Sequence, residues 1–275
     1  VSDRVAPPTS ALCSGWDCHV HVFEAAAPVR PGHYTPAHRP LSEIEKLARR
    51  HGIEHLVLVQ PSVYGTDNSV MLQALEAAHG RHRGVAVIDS EVGDAELNRM
   101  HDAGVRGVRF NLVSPAGHAG DVMSDLLRIA PRLRARGWHV QWYASAEALP
   151  QLLAWQAQTG LCFVLDHLAG LDAGLPDAHP AWAAAKALAS GGAWIKLSGW
   201  YRLGSSAPYT ELWPRIRRAA KLFGSHTVWG SDWPHTSFAA DRMPVYESTL
   251  APVRECLEAA QFGSLLVRHP DDLYR

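Results

Sequence analysis

Several things are scarce in this sequence. Its 275 residues carry only four cysteines, Cys13, Cys18, Cys162 and Cys256, and no two of them form a CxxC pair. A disulfide framework is therefore not expected, and reduced thiols in a cytoplasmic setting fit better. Net charge is nearly absent: 26 Lys and Arg stand against 27 Asp and Glu. That balance gives nothing for nucleic acid or an anionic membrane surface to hold. Arg128, Arg132, Arg134 and Arg136 read as the solvated face of one helix. No apolar run reaches the roughly 18 residues that a membrane span needs. Residues 1–14 lack the apolar stretch of a leader and are expected to form a plain N-terminal tail.

What is present begins at Trp16-Asp17-Cys18-His19-Val20-His21-Val22-Phe23. This short apolar, β-branched stretch reads as a buried strand. Strict alternation would put Asp17, His19 and His21 on one face and Cys18, Val20 and Val22 on the other. Two imidazoles and a carboxylate are costly to bury unless they bind something. Core histidines with ordinary partners are the competing explanation.

Further predicted strands lie at 55–60, 84–88, 105–110, 138–143, 161–165, 193–197 and 227–230, with helical patterns between them. The first helix is expected to be capped by Ser42, with Glu45 completing a capping box. A long loop at 24–40 carries His33, Tyr34 and His38. Eight strands alternating with helices at spacings of roughly 30 residues call for parallel pairing. The predicted fold is α/β, a single-domain (β/α)8 TIM barrel over 15–265, with 266–275 as a C-terminal tail. A doubly wound open sheet is the alternative. It would usually carry a glycine-rich phosphate loop after its first strand, where Glu24-Ala-Ala-Ala-Pro28 stands instead.

In such barrels the active site lies at the carboxyl ends of the strands. Those ends hold His19 and His21, Gln60 and Ser62, Arg109 and Asn111, Gln141 and Tyr143, Asp166 and His167, Lys196 and Ser198, and Asp232 and His235. The concentration of His, Asp and Arg points to hydrolytic or acid–base chemistry.

The ordered set Asp17-Cys-His-Val-His21, Val59-Gln-Pro-Ser62 with Gly65-Thr-Asp-Asn68, Gly104-Val-Arg-Gly-Val-Arg109, Asp166-His167, Lys196-Leu-Ser-Gly199 with Tyr201-Arg202, and Trp229-Gly-Ser-Asp-Trp-Pro-His235 resembles the amidohydrolase superfamily. The resemblance is to its 2-pyrone-4,6-dicarboxylate hydrolase and sugar-lactonase branch, over about residues 15–265. It implies a hydrolase of a small-molecule lactone, with Asp232 as the base that activates water. His19, His21 and His167 would bind substrate or polarise its carbonyl, and Arg109 and Arg202 would hold carboxylates. Tyr34, Ser62, Thr66, Tyr143 and His235 would complete the substrate site. Homo-oligomers are compatible with this reading.

The resemblance leaves the metal open. No carbamate-forming Lys stands at the fourth strand end, so a binuclear centre is not expected. Metal-free catalysis is the first expectation. The second is one divalent ion, Zn²⁺ foremost, held by His19, His21 and Asp232. Two arginines common in the dicarboxylate hydrolases are missing, at Ala169-Gly170 and in Val113-Ser-Pro-Ala-Gly117. A monoanionic or neutral lactone is then at least as good a substrate as a dicarboxylate. Competing functions are a Zn-dependent decarboxylase or amide hydrolase on the same barrel, and a non-catalytic binding barrel.

Overall fold

The computed structural model describes residues 14–30, 34–114, 117–118, 120–236, 238 and 242–275. His33 and residues 1–13 of the expected tail lie outside the described residues. Eight strands pair in parallel in chain order: β1 Gly15–Val20, β2 Ile53–Val59, β3 Arg83–Ala86, β4 Val105–Asn111, β5 His139–Tyr143, β6 Phe163–Leu165, β7 Trp194–Ser198 and β8 Thr227–Gly230. Between and after them run the helices α1 Leu41–Arg49, α2 Ser69–Ala77, α3 Asp94–Ala103, α4 Val122–Ala135, α5 Leu149–Thr159, α6 Pro180–Ser190, α7 Trp213–Phe223, α8 Tyr246–Cys256, α9 Ala259–Leu266 and α10 Arg268–Tyr274. This is the predicted (β/α)8 barrel. None of the described helices is long and apolar enough to cross a membrane.

Alternation along each strand sorts the core into two parts. Outward residues such as Leu56, Leu58, Val108, Phe110, Ile195 and Leu197 pack under the helices. Inward residues Val57, Val59, Val85, Val164, Trp194 and Val228 fill the barrel's lower interior. The barrel closes where β1 meets the end of β8. There Asp232 N donates to His19 O and His21 N donates to Trp233 O, each at 2.9 Å. The closing seam thus sets Asp232 directly beside the two histidines.

Strand β1 departs from the expected alternation. Trp16 and Cys18 both join the interior cluster. Asp17 turns away, accepting hydrogen bonds from Ser231 N and from the Tyr246 hydroxyl of α8, both at 2.9 Å. Its pairing register with β2 shifts between Asp17 and Val20. An irregularity of this kind reverses which face later residues use, and it brings His19 and His21 inward after Cys18. Asp17 therefore buttresses the seam rather than sharing a face with the histidines.

Three local expectations also change. Helix α1 starts at Leu41 with Pro40 at its N-cap and no side-chain cap. Ser42 lies inside its first turn, and Glu45 instead accepts from Arg81 Nη1 at 2.8 Å. A capping box does form before α9, between Glu258 and Gln261. Residues 266–275, expected as a tail, include α10, whose Tyr274 is fully buried among the lower interior side chains. Trp16 Nε1 donates to Asp271 at 2.9 Å and Arg83 Nε donates to the Tyr274 carbonyl at 3.0 Å, which fixes this plug. Seven residues are too few for a helical apolar period to show.

Candidate active site

Four side chains converge at the carboxyl end of the barrel. Asp232 Oδ1 lies 3.5 Å from His21 Nε2, 3.7 Å from His19 Nε2 and 4.0 Å from His167 Nε2. Asp232, His19 and His167 are essentially without solvent contact. The backbone is shaped to allow this. Asp232 and His167 adopt left-handed φ values of 62° and 50°, a conformation that costs non-glycine residues of order 1–3 kcal/mol and gathers at functional sites. Two glycines make room. A Cβ on Gly230 would fall 2.6 Å from His19 Cβ, and one on Gly199 would fall 2.3 Å from His167 Nδ1.

Each histidine is oriented by its other nitrogen. His21 Nδ1 lies 2.7 Å from Val59 O, which only accepts, so it donates there. His167 Nδ1 lies 3.2 Å from Ser198 Oγ, and His19 Nδ1 lies 3.3 Å from Asp166 Oδ1. Burial pushes the imidazoles towards neutrality: His19 is held well below its ordinary value, with the Lys196 ammonium adding to the effect, and His167 is lowered to about 3 despite the nearby carboxylates. Burial opposes ionisation of Asp232, but Arg202 and then the histidines outweigh it and hold the carboxyl well below 3.8.

A carboxylate oxygen and imidazole nitrogens thus face one another. His19 Nε2, His167 Nε2 and Asp232 Oδ1 are all buried without a hydrogen-bond partner. Ligand atoms of these three residues lie within 4.8 Å of one another. Neutral imidazoles and an ionised carboxylate are the protonation states that bind a divalent cation, so the residues fit one. The compact group contains His167 where the sequence suggested His21, because the left-handed turn at His167 swings its ring to within 4.8 Å of the His19 ring centre.

The other oxygen of Asp232 is fixed. Oδ2 accepts from the Tyr201 hydroxyl and from Arg202 Nε. Indole N–H groups of Trp229 on β8 and Trp200 beside Tyr201 both donate to Thr249 O in α8, at 3.0 and 2.8 Å. Under the histidines lies a second charged layer. Asp166 Oδ2 accepts from Arg109 Nε and Gln141 Nε2, each at 3.0 Å. Fully buried Lys196 donates to Cys18 O at 2.8 Å and Gln141 Oε1 at 2.7 Å.

Above the quartet opens a cavity of about 190 Å³, walled by His21, Tyr34, Ser62, Arg109, Tyr143 and Arg202 among others. Tyr143 presents its ring to both guanidinium groups, at 5.3 Å from Arg109 and 5.7 Å from Arg202. Tyr34 bonds Thr236 through its hydroxyl, and its pKa is pushed up to about 12, mainly by burial. Most of the residues expected from the sequence therefore meet here. Thr66 instead lines an adjoining outer compartment. His235 stands behind Tyr201, edge to face at 5.5 Å, and lines a separate pocket with Phe238 and Thr236.

Gln141, Asp166 and Lys196 stand among the polar strand-end residues expected from the sequence but without individual roles there, and the Tyr201 hydroxyl has no expected role. The parity of β7, with Trp194, Lys196 and Ser198 alternating inward, carried the signal for Lys196. Nothing local marked Tyr201 as a partner of Asp232.

An eight-stranded parallel barrel with a histidine–aspartate cluster at its carboxyl end is the arrangement of an amidohydrolase-type barrel. The chain belongs to the amidohydrolase family, whose profile matches residues 16–258. It is 33% identical to a 2-pyrone-4,6-dicarboxylate hydrolase from Comamonas testosteroni, covering 94% of this chain and 89% of that one. It is 32% identical to a 4-sulfomuconolactone hydrolase from Rhizobium radiobacter, covering 88% and 83%. Among solved structures, a 2-pyrone-4,6-dicarboxylic acid hydrolase candidate from Pseudomonas putida superposes with a TM-score of 0.83 at 32% identity, covering 95% and 97%.

Proposed function

We propose that this enzyme hydrolyses the ring ester of an acidic lactone, with Asp232 as the base. The observation that carries the reading is the division of labour on one carboxylate. Oδ2 is held by Tyr201 and Arg202, while buried Oδ1 has no hydrogen-bond partner and faces three imidazoles beneath a cavity walled by two arginines. The relatives named above act on a pyrone and a muconolactone, both cyclic esters with acid groups.

Water is a weak nucleophile at neutral pH and needs a base within hydrogen-bond reach. A water on Asp232 Oδ1 gives up its proton there as its oxygen attacks the lactone carbonyl. Collapse of the tetrahedral intermediate breaks the carbonyl–ring oxygen bond. The proton then passes from Asp232 to the departing ring oxygen, and the product is an open-chain hydroxy acid or its keto form. Charge on the carbonyl oxygen needs a fixed positive partner. Burial keeps His19 and His167 neutral, so they carry none, whereas the Arg109 guanidinium at the cavity wall does. A divalent ion held by His19, His167 and Asp232 would polarise the carbonyl and acidify water. The free thiols Cys18, Cys162 and Cys256 suit the cytoplasm as the place of reaction.

The test is a panel of acidic and neutral lactones assayed with the protein as purified and after chelation, beside Asp232→Asn. Ring opening is expected with acidic lactones, falling on the order of 10³-fold in the variant. Hydrolysis unchanged in Asp232→Asn would sink the base assignment. Activity surviving chelation assigns the oxyanion to Arg109; activity lost and restored by Zn²⁺ assigns it to the ion.

A further inference from the structure

The cavity continues outward. Beyond a sill formed by Ser62, Arg109 and Asn111 lies a second compartment of about 230 Å³, with Val87 and Ile88 on one wall and Arg30 on another. Arg30 comes from the loop after β1 and is anchored there, its backbone N donating to Val63 O at 2.7 Å. Its side chain lies across Gly65, whose φ is +55°; a Cβ at that position would fall 2.5 Å from Arg30 Cδ and 2.6 Å from Nη1. Glycine is the seat that lets the guanidinium lie flat on the loop. Among the described residues no carboxylate pairs with Arg30. The compartment's two acids are engaged elsewhere, Asp125 near His118 Nε2 at 3.3 Å and Asp89 accepting from Glu91 N at 3.0 Å.

We propose that Arg30 is an acid-group subsite separate from the reacting carbonyl, which makes the preferred substrate a lactone whose ring sits in the inner cavity and whose carboxylate lies on a short arm that crosses the sill. The inference rests on the lactonase reading and deepens it. It also answers a gap in the sequence, since residues 112–121 between β4 and α4 contain no Lys or Arg. The second cation is supplied by the loop after β1. A guanidinium suits this role because its planar fork pairs two oxygens at once. Val87 and Ile88 give the arm an apolar surface to lie on.

Binding separates this subsite from catalysis. The probes are 3-(carboxymethyl)benzoate, a flat ring with one carboxylate and one acetate arm, and benzoate, titrated calorimetrically into the intact protein, Arg30→Gln and Arg30→Lys. The diacid is expected to lose about tenfold in affinity in Arg30→Gln and less in Arg30→Lys, with benzoate unchanged. The difference should shrink as salt rises, because Arg30 is exposed. With a carboxymethyl-bearing lactone, Arg30→Gln should raise KM at unchanged kcat, and the methyl ester of that lactone should not notice the change. Equal shifts for both probes, or none, overturn the subsite. Undiminished hydrolysis in Asp232→Asn would instead remove the catalytic reading and leave the binding result standing.

Discussion

One barrel interior holds two unlike layers. Below, Trp16, Cys18, Val57, Val85, Val164, Trp194 and Val228 close around Tyr274. Above, the same strands present His19, Asp166, Lys196 and Asp232. The step between them is short: Cys18 to His19 on β1, Val164 to Asp166 at the end of β6, Trp194 to Lys196 on β7. The lower layer is apolar burial, which favours folding at roughly 25 cal/mol per Å². The upper layer buries charges, which costs several kcal/mol per ion unless each is paired. The barrel can hold the second because it has the first. The layers should therefore respond to substitution in different currencies, the upper in rate and pH dependence, the lower in stability.

Among residues that support the two layers without reacting themselves, the largest effect is expected at Arg202. Its guanidinium is the largest of the influences that together overcome burial and hold Asp232 well below 3.8. A carboxylate with a depressed folded-state pKa contributes stability above its unfolded pKa, and that contribution is lost as pH falls through the lower folded value. Loss of active, ionised Asp232 in the intact enzyme should therefore lie below pH 3.8. In Arg202→Met the burial that raises the pKa goes unopposed by its main counterweight. The acid limb of kcat/KM should move up into the measurable range, with a rate loss on the order of 10²-fold at neutral pH. A rise in KM with an unmoved acid limb would make Arg202 a carboxylate holder for substrate alone.

Next in size is Tyr274→Ala, which empties the lower layer. Removing a buried aromatic ring costs about 3 kcal/mol or more, a fall in Tm of roughly 5–10 °C for a chain of this size. Below that temperature kcat/KM should stay within about twofold, because no quartet residue touches the ring. A large rate loss in a folded protein would mean that the layers are coupled, most directly through His139, whose ring meets Tyr274 edge to face at 5.4 Å.

The two layers were also unequally legible in the sequence. Period-two alternation on β4, β5 and β7 exposes Arg109, Gln141 and Lys196, because nothing interrupts those strands. The barrel follows from the strand–helix pattern, and the pairing of the histidines with Asp232 from the family resemblance that the ordered motifs carry. The irregularity after Asp17 does not, because a register shift depends on the neighbouring strand. Arg202's hold on Asp232 was hidden for a similar reason: an arginine at a pocket reads as a substrate clamp until its neighbour is seen. Tyr274 was hidden by its place in a segment too short to show periodicity.

The smallest effect gives the sharpest comparison. Both layers contain buried polar atoms without a hydrogen-bond partner: His19 Nε2, His167 Nε2 and Asp232 Oδ1 above, His139 Nε2 and the Tyr274 hydroxyl below. Such an atom lowers stability wherever it lies, by about 1–3 kcal/mol. In the upper layer the unmet atoms converge on one point, where a reacting group or a cation would complete them. In the lower layer they converge on no common point, and burial holds the Tyr274 hydroxyl well above its ordinary pKa, so it stays protonated. Tyr274→Phe keeps the ring and deletes only the oxygen. If the hydroxyl is a cost without a use, the variant should gain about 1 kcal/mol, read as a Tm rise of a few degrees, at unchanged kcat/KM. A fall in Tm would show that the oxygen has a partner, and the lower layer would then be polar by design as the upper one is.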